Sequence, residues 1–441
     1  MVPDVVVYVL SAVLSAASVF ATIKGWPKAS ASAEKSSGKD DSPSHLEATT
    51  SFASAYAFFV EFNNSSIAAF MVGYLIQEKG IPQENIGAVF MFNAGAVLVV
   101  GPFGPKVMRC LGGAPITTHL SAGVMCLCQF ALAFLAFIEG PLLVLIFVCF
   151  FSTVRSLASV YADIGCSTAI LCAGTDEAER TEANAKYHGA KNFGGLLGPP
   201  IGGFLYAMGG WTVPFLIPGL GLLLIMLKTA ATIESLPQYA SKEDDAPAAA
   251  NGSSKSLVSI PRALLVLVVY CFGGGALYWT NPFVQLYLVD GFGLSQALVG
   301  VVIMTGGFFV VIGTQLAASI AGKFGNDLAM ASSFFMSACG FIVIGVAPNT
   351  WVFCMGYGIL FSGIGVLFVV TNPMLQNIGE NAGMPSDAAS AQAASSSMVS
   401  FGVALFIFPA LSSAIGGLSS EDAITVRLPP HCISQTVRCQ P

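Results

Sequence analysis

Three ionisable residues stand inside apolar runs long enough to cross a bilayer: Glu61, Arg155 and Asp163. A charge in hydrocarbon is costly unless paired or hydrated, so each marks a functional candidate. Asn64, Ser65 and Ala68 follow Glu61 at helical spacing and extend it into a polar stripe. Asp163 lies two turns beyond Arg155, about 12 Å along a helix axis. The chemistry this set offers is reversible binding at an anionic site. Glu61 and Asp163 hold a cation or a proton in turn, and Arg155 pairs with whichever carboxylate is empty. The alternative is a structural ion pair between Arg155 and one of the acids. A second polar group, Tyr278, Trp279, Asn281, Gln285 and Tyr287, lies in a later apolar run, with Gln315, Asn372, Gln376 and Asn377 further on. Such residues hydrogen-bond a solute or face a cation with a ring, and in membranes they also glue helices together.

The elements that must position these residues are set by composition. The chain has 441 residues, 55% hydrophobic and 10% charged, with a mean hydropathy of +0.75. Soluble domains carry about 25% charged residues, so this is an integral membrane protein surrounded by lipid. The formal charge of −6 resides in loops, and no basic run points to nucleic acid. The 11 cysteines are scattered, mostly within apolar runs, with no zinc-site spacing and no disulfide framework. No GxSxG, HExxH or paired histidines mark an intramembrane enzyme. No metal, cofactor or catalytic residue is expected, and the chain is read as a monomer.

Apolar spans are expected near 52–76, 86–104, 116–138, 141–171, 187–208, 211–231, 261–289, 294–321, 327–347, 351–375 and 388–415, each of about 20 residues or more. The domain reading follows. Residues 1–50 form an extra N-terminal hydrophobic helix and a Ser-rich disordered linker. Val19-Phe20-Ala21 would suit signal cleavage, but Asp4 stands where a basic start is usual. Residues 51–231 form a six-span bundle, 232–259 a polar linker, 260–417 a five-span bundle and 418–441 a polar tail. No twelfth apolar run follows Gly417. Lys106, Arg109, Arg180, Lys186, Lys228, Lys242, Lys255, Arg262 and Lys323 fall on one side if the spans alternate, which predicts a cytoplasmic linker. Lys186, His188 and Lys191 enter span 5 after Asp176, Glu177, Glu179, Arg180 and Glu182; the cluster reads as a solvated loop with a helix start at Thr181, with a gate as the alternative.

The fifth span is the most unusual. Gly194, Gly198 and Gly202 recur every four residues, as do Gly195, Pro199 and Gly203. On a helix each series leaves a stripe without side chains, where a neighbour comes backbone-close. Pro199 and Pro200 predict a bend, either as plain close packing or as a conformational hinge. Gly416-Gly417 closes the eleventh span as Gly202-Gly203 closes the fifth, so the halves read as distant repeats.

Gly198-Pro199-Pro200-Ile201-Gly202-Gly203-Phe204-Leu205-Tyr206 and Val213-Pro214-Phe215-Leu216 resemble span 5 and the start of span 6 of the major facilitator superfamily. The likeness is to its vesicular amine and polyamine transporter branch, which is drug:proton antiporter-like. Val100-Gly101-Pro102-Phe103-Gly104-Pro105-Lys106 resembles that branch's turn between spans 2 and 3, and Tyr278 to Tyr287 resembles its span 7. The resemblance covers about residues 52–417 of the sequence. It implies an all-α, two-bundle polytopic fold and secondary transport by alternating access, with protons exchanged for small organic cations such as amines or polyamines. It also implies a cavity-lining role for Arg155 and a multi-pass location in a vesicle, vacuole or plasma membrane. The sequence departs from the family at Pro105, where an acid is usual, and at Asn281, where the family has a carboxylate. A non-transporting scaffold or sensor, or a carrier of another small organic solute, is the competing reading.

Overall fold

The computed structural model describes residues 42–67, 70–81, 83–233, 236, 256–286, 288, 291–294 and 296–423. The N-terminal apolar stretch, most of the central linker and the tail from residue 424 lie outside the described residues. All regular structure described is helical. In chain order the helices are α1 (Ser42–Ser66), α2 (Met71–Gln77), α3 (Gln83–Val100), α4 (Gly104–Leu111), α5 (Ala114–Ala133), α6 (Pro141–Ala173) and α7 (Glu177–Gly209). They continue with α8 (Val213–Ile233), α9 (Pro261–Leu286), α10 (Gln296–Phe324), α11 (Asn326–Gly345), α12 (Thr350–Asn381) and α13 (Ser386–Ala423). Each expected span falls on one or two of these helices. Eight described helical stretches are long and apolar enough to cross a membrane. The side chains most open to the surroundings include Leu127, Phe137, Leu142, Leu224 and Trp351, an apolar exterior suited to lipid.

Local chemistry explains the ends. Asp176 caps α7 by accepting the Glu179 amide at 2.8 Å, and Asn349 caps α12 through the Val352 amide at 3.0 Å. Gly140 turns into α6 with φ of 88°, a value that disfavours any side chain, and Pro141 follows at the first helical position.

Three boundaries differ from expectation. The stretch read as disordered to residue 50 is helical from Ser42, with Thr49 and Thr50 buried. The first span is not one helix: α1 stops at Ser66 and α2 starts at Met71. Ser65 and Ser66 hydroxyls bond back to the carbonyls of Glu61 and Asn63, competing with the helical ladder. The helix expected to end near residue 415 continues to Ala423.

Within the first half α7 packs along α1, and α5 packs on α6 and α8. In the second half α12 lies against α10 and α11, while α13 lies against α9. The halves meet where α7 contacts α10 and α12, and where α13 contacts α3 and α6. A buried apolar cluster crosses that junction, joining Leu171 and Ala185 to Leu267, Met330 and Val366.

Candidate functional site

The site is built on the α1–α7 seam. Glycine removes the side chains that would hold these helices apart. A methyl group on Gly198 would lie 2.8 Å from the Ser66 amide nitrogen, and one on Gly194 would run into the Phe58 carbonyl oxygen. Gly202 faces the Ser66 carbonyl in the same way. The next glycine round the helix, Gly195, faces Glu61, whose Cγ would be 3.4 Å from an added methyl. Helix α7 continues through Pro199 and Pro200 to Gly209. These prolines have no amide hydrogen to offer the carbonyls of Gly195 and Leu196. The ladder is therefore weakened one turn before the prolines, beside Glu61. Gly203 is half-buried on the same helix.

Helix α6 supplies the second wall. Arg155, Ser159 and Asp163 recur every four residues and share one face. Arg155, 5% exposed, donates to the Asn63 carbonyl at 3.2 Å, and its charge acts on Glu61. Asn64 donates to the Ser159 hydroxyl at 2.7 Å. Asn63 is fixed by Gln129, which donates to its side-chain oxygen at 2.9 Å, and by its own bond to the Pro218 carbonyl at 3.2 Å.

Asp163 takes its direct partners from α7 rather than from Arg155. The Lys191 ammonium contacts one carboxylate oxygen at 2.5 Å, and the Tyr187 hydroxyl donates to the other at 2.8 Å. The Asp163 and Lys191 side chains are 8% and 17% exposed. Beside them a row of rings crosses the junction. Tyr187 meets His188 at 4.9 Å between centroids, His188 meets Phe368 at 6.0 Å, and Phe368 meets Tyr270 at 5.8 Å. Tyr270, on α9, lies within electrostatic reach of Asp163. The site thus joins two carboxylates, two cationic side chains and an aromatic wall drawn from both halves.

Beyond the rings the halves are tied together. The Asn184 amide donates to the Val369 carbonyl at 2.6 Å. Arg180 pairs with Glu380 at 3.0 Å. Asn326 and Asn377 each donate to Glu177 at 2.7 Å. Burial pushes the Glu177 carboxyl above the usual range, against the pull of those amides. Burial acts on Glu380 too, but bonds from Arg180, Ser386 and Gln376 outweigh it and hold that carboxyl below the usual range. Next to these ties, Lys106 and Arg109 line a cavity of about 460 Å³ with Ser256, Gln392 and Ser395. The elbow that bears them is docked on α13, where the Ser395 hydroxyl donates to the Gly101 carbonyl at 2.7 Å.

Glu61, Asn64, Arg155 and Asp163 therefore converge with the glycine stripe. Tyr278, Asn281 and Gln285 belong to the last turns of α9, and their side chains lie outside the described residues. The reading of the charged cluster that leads into span 5 as a solvated loop is corrected. Arg180, Thr181 and His188 are buried, the helix starts at Glu177 rather than Thr181, and Lys191 reaches the site. A signal for this was present. Asp163 lies twelve residues before Thr175 and Tyr187 twelve after it, so a helical hairpin sets both about 18 Å from the turn, with Lys191 a turn deeper. Among the described residues no group of three or more His, Cys, Asp or Glu side chains is placed to hold a metal ion.

These features define an all-helical, two-bundle, multi-pass membrane protein with a charged seam in its first half, faced by rings from the second. The sequence profile of the Major Facilitator Superfamily matches residues 162–407, more than half of the chain, and the chain belongs to that superfamily. The "MFS-type transporter SLC18B1" of Homo sapiens is 27% identical over 264 residues, covering 56% of this chain and 52% of that protein. The vesicular acetylcholine transporter of Torpedo marmorata is 25% identical over 246 residues, covering 49% of this chain and 44% of that protein. The chain spans about half the length of the curated relatives it matches. A bacterial homologue of the iron transporter ferroportin, solved in an outward-facing state, shares the fold with a TM-score of 0.65 at 12% identity, over 85% of this chain and 94% of that one.

Proposed function

We propose that this protein is a secondary transporter that exchanges small organic cations, amines or polyamines, for protons by alternating access. The observation that carries this reading is the convergence of Glu61 and Asp163 with Arg155 and Lys191 on three helices, beside rings from both halves. Carboxylates attract an ammonium group, and ring faces shelter its alkyl substituents. A proton competes for the same oxygens, which couples the two fluxes. The name of the acetylcholine-transporting relative gives an organic cation as cargo, in keeping with an anionic site. The cytoplasmic side is assigned to the linker by its flanking lysines and arginines. The ties at Glu177, Arg180 and Glu380 then close that side, and the proline-weakened turn of α7 serves as the hinge.

The test is uptake of labelled spermidine or a labelled monoamine by the purified protein in liposomes under a pH gradient. Uptake in the wild type that is abolished by Glu61→Gln supports exchange at this site. Uptake indifferent to Glu61→Gln removes the coupling assignment, and no uptake of any amine favours another solute or a non-transporting scaffold.

A further inference from the structure

We infer that Lys191 is a tethered stand-in for the cationic substrate: its ammonium occupies the Asp163 carboxylate whenever neither a free ammonium group nor a proton does. The inference rests on the amine-exchange reading above and adds an internal competitor to it.

The Lys191 side chain ends in the chemical group that a primary amine or polyamine would bring. It contacts Asp163 at one oxygen, leaving the other to the Tyr187 hydroxyl. Tyr187 and Lys191 are one turn apart on α7, so both approach Asp163 from the same face. The ammonium end of the ion pair is not sealed off, since the Lys191 side chain keeps 17% of its exposure while Asp163 is buried. Lysine is suited to such a role, because its charge rides on a flexible four-carbon stem and its three donors rotate freely. Arg155, by contrast, donates to the backbone of α1, at the Asn63 carbonyl.

A tether has two effects. It acts as a competitor at fixed, high local concentration, so the apparent affinity for a free amine falls in proportion to the fraction of time that Asp163 is open. It also covers the carboxylate as the amine leaves. A bare carboxylate in a buried seam would carry a large desolvation penalty, and Lys191 removes that state from the cycle. The price in affinity is thereby returned as faster release.

The test compares wild type, Lys191→Gln, Lys191→Arg and Asp163→Asn in detergent and in liposomes, with spermidine and phenethylamine as separate probes. Lys191→Gln is expected to bind at least one probe about tenfold more tightly while its turnover falls, a split between KM and kcat. Lys191→Arg restores both parameters towards wild type, and Asp163→Asn does not bind. Binding to Lys191→Gln alone, with none to wild type, also supports the inference. Equal or weaker binding by Lys191→Gln, in a protein whose wild type does bind, overturns it and leaves the exchange reading standing. No binding by either protein overturns the exchange reading, and the inference falls with it. A measurement on the wild type keeps the question decidable if Lys191→Gln does not fold. Acetylation of Lys191, followed by mass spectrometry, is expected to accelerate in saturating tetraethylammonium, which is not itself acylated. An unchanged rate overturns the inference.

Discussion

The α1–α7 seam and its counterpart α9–α13 solve the same packing problem with different materials. A shift of six spans carries α1 to α9, α3 to α10 and α7 to α13. The contacts follow it, since α7 lies on α1 and α10 while α13 lies on α9 and α3. In the first seam glycines meet backbone, and the side chains they face are Glu61 and Ser65, with Asn64 turned to Ser159 on α6. In the second, the positions opened by Gly274 and Gly275 are filled by the rings of Phe401 and Phe408. The α1–α7 seam has given its close approach to polar groups and the α9–α13 seam to aromatic ones. Burying a charge requires fixed partners at short range, which a backbone-close seam supplies, whereas aromatic filling makes an apolar wall that tolerates small shifts. The charged chemistry is therefore concentrated in the first half, with the second presenting rings to it.

The largest expected effect breaks this contrast directly. Gly202→Val sets a branched side chain against the Ser66 backbone, which has nowhere to go, so a loss of about 3 kcal/mol or more is expected, or failure to fold. Gly274→Ala places a methyl 3.0 Å from the Phe401 ring, which can tilt, and costs about 1 kcal/mol. Thermal unfolding in detergent measures both. Equal losses would show that the seams are mechanically alike. Next in size, Arg155→Met strips Glu61 and the Asn63 carbonyl of a cationic neighbour and is expected to cost about 3 kcal/mol, with uptake lost. Thr314→Val in the second half removes a hydroxyl bonded only along its own helix, to Val311, and costs about 1 kcal/mol.

Much of this was legible in the amino-acid order. Apolar runs located the helices because lipid leaves little choice of secondary structure. Glu61, Arg155 and Asp163 stood out because charges interrupt those runs, and the four-residue glycine period exposed the backbone-close seam. The partners were harder to read. Lys191 follows a charged stretch and looks solvated until its depth is counted from the turn. Tyr270 and Phe368 carry no signal at all, because apolar rings in an apolar run look like lipid contacts. The break after Ser66 was hidden as well, since it arises from serine hydroxyls and the approach of α7.

The junction between the halves sharpens the comparison at lower energy. Arg180 and Glu380 join one half to the other with side chains 9% and 27% exposed, whereas Glu182 and Lys186, two residues away from buried ties, pair along α7 at 3.0 Å with 65% and 62% exposed. Arg180→Ala is expected to cost about 1 kcal/mol after solvent screening. Because the Glu380 carboxyl is held below its usual range, its contribution is complete above the ordinary glutamate value of about 4.3 and fades as pH falls through the depressed folded value. Unfolding midpoints measured against pH should therefore converge for wild type and Arg180→Ala in acid. Glu177 runs the opposite way. Its raised carboxyl makes the closed junction less stable as pH rises from the ordinary value through the folded one, and Glu177→Gln should flatten that limb. Glu182→Ala closes the series with a change within about 0.5 kcal/mol, because water already serves both charges of its pair with Lys186. A larger effect from Glu182→Ala than from Arg180→Ala would mean that surface charge along α7, rather than contact between unlike halves, sets the closure of this side.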